Sequence, residues 1–345
     1  MRTLFFAAAL ALLSSCAGTP KYAVSDHFDG EHFFNPGRSP QSRGLWDVIK
    51  WRMTTDRPDW PERFPANAPA ASPSQVKPGE VVVTWIGHST FLLQFEGVNV
   101  LTDPIFSLRA TPVSFAGPAR VRGPGVELDA LPRIDAVVVS HNHYDHLDLP
   151  SLEALVKRFP NARFYVPLGN ARLVAEETGA KHVEELDWWE SRELTPGGAR
   201  FTLAPAQHWS ARGLFDRFET LWGSWWIAAG GATAYFAGDT GYGPHFKAIR
   251  ERLGAPALAL LPIGAYEPRW FMQEMHMNPE DAVLAHRDLG ARHSLPMHYG
   301  TFRLSDEAYD QPVRDLAAAC DKHGVSKNPG FQPMEIGETR TIREK

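Results

Sequence analysis

Hydrophobic positions along the chain fall into short runs at strand spacing, punctuated by turn formers and by fewer stretches at helical spacing. Val81 to Ile86 and Thr90 to Phe95 predict two strands joined at Gly87-His88-Ser89. Val98 to Leu101 predicts a third, closing at Thr102-Asp103-Pro104. Ala136 to Ser140 is Val-rich and bounded by turn formers, which predicts a buried strand. Leu152, Leu155 and Val156 share one face of a helix opened by Pro150-Ser151. Strands follow at Phe164 to Val166, Phe201 to Pro205, Trp222 to Ala228, Ala232 to Ala237, Ala257 to Leu261 and Ser294 to Met297. A helix over Asn170 to Thr178 is stopped by Gly179. Another begins at Asn278-Pro279-Glu280-Asp281, with Asn as cap, Pro at the first helical position and acids at the positive end of the helix dipole.

Four strand ends hand over to side chains that bind metals. The run ending at Ser140 leads into His141, His143, Asp145 and His146. Pro205 leads to His208, Ala237 to Asp239, and Met297 to His298. Imidazole and carboxylate together suit zinc, with manganese and iron as alternatives. One histidine after a strand is unremarkable in a polar loop, but seven donors at four strand ends are not. His27, His32, His182, His245, His286, His293 and His323 lack that context and read as surface or helix residues.

The N-terminal residues read differently. Met1-Arg2-Thr3 is basic, and Leu4 to Leu13 is apolar but too short to span a bilayer. Leu13-Ser14-Ser15-Cys16 resembles a bacterial lipobox. That resemblance implies cleavage before Cys16, lipid on its sulfur and, with Ala17 following, anchorage to the periplasmic side of the outer membrane. Residues 1–15 are thus expected to be a signal peptide, and 16–79 a lipidated tether with an irregular cover broken by repeated prolines. Gly44 to Arg52 predicts a short amphipathic helix within the cover. Residues 80–345 form the expected compact domain. Cys320, the only other cysteine, lies in helix-like DLAAACDKHG and reads as a buried structural thiol. A net charge of −5 gives no argument for a nucleic-acid partner, and nothing in the sequence sets an oligomeric state.

HNHYDHLD resembles the motif of the metallo-β-lactamase superfamily. More specifically, the chain resembles the branch of N-acylphosphatidylethanolamine-hydrolysing phospholipases D. Matching stretches include TWIGHSTFLLQF (84–95), LTDPIFS (101–107), IDAVVVSHNHYDHLD (134–148), FYVPLG (164–169), ELDWWE (185–190), QHW (207–209), LWGSW (221–225), FAGDTGY (236–242), PIGAYEPRWFM (262–272) and HYGTF (298–302). LDWWE and PIGAYEPRWFM are the most telling, and residues 17–79 do not carry the likeness clearly.

The resemblance implies an α/β fold, the αββα four-layer sandwich. It implies that His141, His143 and His208 hold one Zn2+, that Asp145, His146 and His298 hold a second, and that Asp239 bridges them. It implies cleavage of N-acylphosphatidylethanolamine to phosphatidic acid and an N-acylethanolamine by a metal-bridging hydroxide, because paired zincs bring water toward a pKa of about 7. Tyr144 and His276 are candidates to contact the phosphodiester or assist the leaving group, and His88 to support the ligands. A phospholipid substrate needs an apolar approach. Trp209, Leu214, Phe215, Phe218, Leu221, Trp222, Trp225 and Trp226 follow His208 closely, and a subset is expected to line an acyl groove or dip into the bilayer. Two rival readings stand beside this one. The first is a hydrolase of the same fold acting on a soluble lactone or cyclic phosphodiester. The second is a non-catalytic, metal-binding envelope lipoprotein, against which the complete donor set argues.

Overall fold

Alternation along the strands sorts side chains onto the two faces of a sheet, and in this chain both faces are buried. The computed structural model describes residues 22–37, 44–55, 57–62, 75–113, 115–326 and 329–344. The expected signal peptide and Cys16 lie outside the described residues.

A helix, α1 (Leu45–Thr54), precedes the sheets. The first sheet opens with β1 (Glu80–Gly87), β2 (Thr90–Phe95) and β3 (Val98–Thr102), each antiparallel to the next. It continues in parallel through β4 (Ala136–Val138), α2 (Leu149–Arg158), β5 (Arg163–Pro167), α3 (Ala171–Thr178) and β6 (Val183–Leu186). The second sheet begins as an antiparallel meander of β7 (Ser191–Glu193), β8 (Arg200–Ala204), β9 (Ser224–Ala229) and β10 (Ala232–Phe236). After α4 (His245–Leu253) it adds β11 (Leu258–Pro262), then α5 (Arg269–Met272), α6 (Pro279–Leu289) and β12 (His293–Met297), with β11 and β12 parallel to β10. Finally α7 (Gln311–His323) leads to β13 (Thr339–Arg343), which returns to the first sheet and pairs antiparallel with β1.

The pleat explains the layers. Val81, Val83 and Trp85 of β1, Phe91, Leu93 and Phe95 of β2, and Ala136 and Val138 of β4 meet Phe201, Leu203, Trp225, Ile227 and Phe236 of the second sheet in one core. The intervening residues Ile86, Leu92, Val137, Phe164 and Val166 face the other way and pack under Leu152 and Leu155 of α2 and Val174 of α3. Phe246, Val283, Leu289 and Leu316 of α4, α6 and α7 cover the second sheet. Helices therefore lie outside two facing sheets, the αββα arrangement that the resemblance implied.

Strong periodicity places elements well. β2 begins and ends where the pattern predicts, α3 stops at Gly179 in the left-handed conformation, and the Asn278 side chain accepts from the Asp281 amide at 2.8 Å. β4 ends two residues early, because the Ser140 amide leaves the ladder and donates to Asp103 at 2.7 Å. The pattern misses β6, β7 and β13, which are short and rich in charge, with few buried residues. It also misses α4, which has no side-chain cap.

Part of the expected tether and cover is built into the molecule. Phe28 and Phe33 belong to the inter-sheet core. His27, expected at the surface, is buried: its ring stacks on Trp188 with centroids 4.3 Å apart, and its two nitrogens reach Asp26 at 2.6 Å and Asp187 at 2.7 Å. The contacts with Trp188 and Asp187 join residues far apart in sequence, which is why spacing could not reveal them.

Candidate metal centre

The seven donors predicted from strand ends converge. β4 runs into the loop carrying His141, His143, Asp145 and His146, β8 leads to His208, β10 to Asp239 and β12 to His298. Packing at two of these ends requires glycine. A Cβ on Gly238, beside Asp239, would lie 2.5 Å from Ser140 Cβ, and Gly238 has φ +57°. A Cβ on Gly264 would lie 2.0 Å from the His298 carbonyl oxygen.

The donors form two adjoining groups. His143 Nδ1 lies 2.8 Å from His141 Nε2 and 3.2 Å from His208 Nε2. Next to them, His146 Nε2 is 3.3 Å from Asp145 Oδ2 and 3.2 Å from Asp239 Oδ2, while His298 Nε2 is 3.3 Å and 3.0 Å from the same two oxygens. Asp239 Oδ2 also comes within 3.8 Å of His208 Nε2, so it stands between the groups. Donors around one tetrahedral zinc, each about 2.0–2.2 Å from it, lie about 3.3 Å apart, close to these separations. Several of the buried donor atoms have no hydrogen-bond partner, among them His146 Nε2, His298 Nε2 and Asp239 Oδ1. Unpaired polar atoms are costly in a protein interior, and a cation would satisfy them. The residues present therefore fit divalent metal.

The electrostatics agree. Burial, then neighbouring imidazoles, push His141 well below its ordinary range; burial does the same to His208. His143 is lowered to about 4, mainly by burial. These rings are neutral, the form that ligates metal. Burial opposes charge on His146 and His298 as well, but the Asp239 and Asp145 carboxylates outweigh it, raising His146 well above its usual value and His298 to about 9. Asp145 and Asp239 stay ionised despite burial, because these histidines face them. The pocket thus gathers positive charge around two carboxylates, a place a dication can take.

A second ring of contacts fixes the donors. Asp103 Oδ2 lies 2.6 Å from His146 Nδ1 and 2.5 Å from the Ser140 hydroxyl, which in turn is 2.9 Å from His141 Nδ1. The Met275 carbonyl lies 3.0 Å from His208 Nδ1. His88, expected as support, is 2.9 Å from Asp145 Oδ2. Such partners set ring orientation and tautomer. Asp103 was not singled out from the sequence, although it too sits at a strand end, in Thr102-Asp103-Pro104. Asn35 was also missed: its amide donates to the His208 carbonyl at 2.8 Å, and no local pattern marks it.

A cavity of ≈ 430 Å³ opens beside the donors, lined by His143, Asp145, Asp239 and His298 together with apolar side chains. His276 lines it, partly buried, with its Nδ1 3.8 Å from Asp239 Oδ2 and without a hydrogen-bond partner at that atom; desolvation lowers its pKa to about 4. Tyr144 lines it too, but its hydroxyl donates to the Arg212 carbonyl at 2.8 Å and its ring lies under the Arg212 guanidinium. Val48 and Trp51 of α1 supply another wall. Of the aromatic stretch after His208, Leu214 and Phe215 are 90% and 92% exposed, Trp209 lines the cavity and Phe218 is half-buried. Leu221, Trp222, Trp225 and Trp226 are core.

Comparison with known proteins gives a consistent result. A beta-lactamase superfamily domain matches residues 98–299. The chain is 41% identical over 263 residues, 74% of each protein, to N-acyl-phosphatidylethanolamine-hydrolyzing phospholipase D 1 of Caenorhabditis elegans. It is 36% identical over 264 residues, 74% of this chain and 55% of the other, to the mitochondrial N-acyl-phosphatidylethanolamine-hydrolyzing phospholipase D of Saccharomyces cerevisiae. Among solved structures, the metallo hydrolase Igni18 of Ignicoccus hospitalis aligns with a TM-score of 0.56 at 27% identity, covering 77% of this chain and 100% of that one.

Proposed function

This chain is a metal-dependent hydrolase of the metallo-β-lactamase superfamily, in the branch resembling the N-acyl-phosphatidylethanolamine-hydrolysing phospholipases D, and we propose that it cleaves the head-group phosphodiester of an N-acylated phosphatidylethanolamine. The observation that carries this reading is the adjacency of two donor groups to one largely apolar cleft. The donors suit a phosphoryl group, and the cleft suits an acyl chain.

In this reading His141, His143 and His208 would hold one zinc and Asp145, His146 and His298 the other, with Asp239 placed to serve both. Metal bound there supplies an activated water nucleophile and neutralises charge on the phosphoryl oxygens. The water oxygen joins phosphorus, the bond from phosphorus to the ethanolamine oxygen breaks, and a proton reaches that oxygen, giving phosphatidic acid and N-acylethanolamine. His276 stays neutral near pH 7 and lines the cleft, its unpaired Nδ1 turned inward beside Asp239, which puts the ring within reach of a phosphoryl or leaving-group oxygen held at that donor group. The Tyr144 hydroxyl is committed to Arg212, so Tyr144 serves as cleft wall and holds the 212 segment in place. Asp103, Ser140 and His88 orient the donors.

The lipobox supports a place for the enzyme on the periplasmic face of the outer membrane, held by lipid on Cys16. Incorporation of labelled palmitate that survives Cys16→Ser would remove that anchor. The substrate reading is tested with N-acylphosphatidylethanolamine in mixed micelles, following products by mass spectrometry. Release of phosphatidic acid and N-acylethanolamine, lost with chelator and restored by zinc, is expected. A metal-loaded protein that leaves this lipid intact but opens a lactone or cyclic phosphodiester would transfer the site to a soluble substrate.

A further inference from the structure

His208 joins its donor group differently from its neighbours. His141 and His143 leave the first sheet together, on one loop after β4, whereas His208 arrives alone from the second sheet, beyond the end of β8. Whether three nitrogens close on one ion therefore depends on how the backbone at 208 is set against that loop. No strand ladder sets it, because β8 ends at Ala204. His208 is fully buried, so its carbonyl needs a partner from the protein.

That partner is Asn35. Its Nδ2 donates to the His208 carbonyl at 2.8 Å, and its Oδ1 accepts from Trp222 Nε1 at 3.2 Å. The same indole nitrogen donates to the Ala206 carbonyl at 3.0 Å, two residues before His208. An indole N–H only donates and a carbonyl only accepts, so a side chain that bridges them must offer an acceptor and a donor side by side. Asparagine does; aspartate at neutral pH lacks the donor, and leucine lacks both. The His208 ring has its own anchor, the Met275 carbonyl at Nδ1. Ring and main chain are thus held separately.

Asn35 is seated by a strap, residues 22–37, that precedes both sheets in the chain. Phe28 and Phe33 pair across it in an antiparallel bridge and are buried in the inter-sheet core. The Tyr22 hydroxyl donates to Glu185 at 2.9 Å, and His27 sits between Asp26 and Asp187. The Phe33 amide donates to the Phe218 carbonyl at 2.9 Å, so Phe33 and Asn35 together pin the segment from His208 to Trp222. Those contacts fix the strap, and the Asn35 amide carries its position to His208.

We propose that Asn35 is a positioning residue for one of the two metal sites: through the His208 main chain it sets the third nitrogen of the His141, His143 and His208 group, and it leaves the Asp145, His146 and His298 group unaffected. Asp103, by contrast, reaches both groups. The inference rests on the two-metal reading and not on the identity of the substrate.

The test uses the full chain carrying Cys16→Ser, stripped of metal and titrated with Co2+ against a competing chelator, with visible absorption following each step. His208→Ala identifies the step that belongs to its group. Asn35→Leu keeps a branched side chain and loses both hydrogen bonds. Asn35→Ser is too short to span the indole and the carbonyl, and it carries the test if the leucine variant fails to fold. Each should weaken the step identified by His208→Ala by about 10–100-fold and leave the other within about twofold. The cobalt absorption band of the weakened site should change with it. Tyr22→Phe, which loosens the strap at Glu185, should leave both steps as they are. Equal weakening of both steps, or of neither, would overturn the proposal. So would the same loss in Tyr22→Phe, which would assign the effect to the strap as a whole. A chain that takes up one Co2+ per molecule would strike the two-metal reading. The role of Asn35 would then stand if Asn35→Leu weakens the one step that His208→Ala removes, and fall if either variant leaves that step unchanged.

Discussion

Asp103 illustrates how a single side chain outside the donor set governs it. It holds His146 through Nδ1 and, by way of Ser140, influences His141, so it reaches both donor groups. Losing a contact of this kind typically costs about 10–100-fold in metal affinity. Asp103→Asn is expected to weaken at least one zinc step by that factor in a calorimetric titration, with the circular dichroism spectrum intact; two wild-type affinities would refute its role. His276→Ala should lower kcat by roughly 100-fold while zinc content stays constant. A parallel loss of zinc would make His276 a ligand instead. Away from the site, burial lowers the pKa of His286 to about 4. The unfolded chain gains that proton near pH 6.5, whereas the folded chain resists it to about pH 4. The stability tied to neutral His286 is therefore complete above pH 6.5 and is lost as pH falls toward 4, by up to roughly 3 kcal/mol. Thermal melts between pH 7 and 4 should show a shallower decline for His286→Gln, and an identical decline would exclude this group as a source.

At the scale of elements, α1 joins two properties that its nine-residue pattern could not connect. The spacing in GLWDVIKWR was enough to predict a helix, because amphipathic period is local. Its docking is not local. Trp51 Nε1 donates to Asp306, Thr55 Oγ1 donates to the same carboxylate at 2.6 Å, and Arg57 pairs with it at 2.9 Å. One buried carboxylate thus clasps the helix to a loop some 250 positions away. Asp306→Ala would leave buried donors unpaired, at about 1–3 kcal/mol for each fully buried group. Amide exchange over Leu45–Thr54 should accelerate in that variant and the KM for lipid should rise, since Val48 and Trp51 wall the cleft. Unchanged exchange would show that apolar packing alone seats α1.

For the whole molecule, the metal centre lies where strand ends of both sheets meet, so metal and fold are thermodynamically linked. Removing metal leaves buried donors without partners, and ligation selective for the folded chain adds about 2.7 kcal/mol at a metal concentration a hundred times Kd. Chelation is expected to lower Tm by about 5 °C or more, with recovery on zinc addition. An unchanged Tm in protein shown to have lost its metal would separate the site from the fold's stability. Alone, the sequence determined the inner strands of both sheets, the caps of α6 and α3, and the donors at strand ends. Period-two burial, capping chemistry and the affinity of imidazole and carboxylate for metals are properties of neighbouring residues, readable over a few positions. It left β6, β7 and β13 hidden, because edge strands carry too little buried surface to impose a pattern. Tertiary structure alone decided which donors stand within reach of one another and that Asp103 and Asn35 support them. It also decided that His27 is buried between two carboxylates, and that Phe215 faces solvent while Trp222, seven residues on, is core. Each of those outcomes depends on surfaces brought together from distant parts of the chain, and the energy that selects them, burial and pairing across the fold, is not written in any one stretch of it.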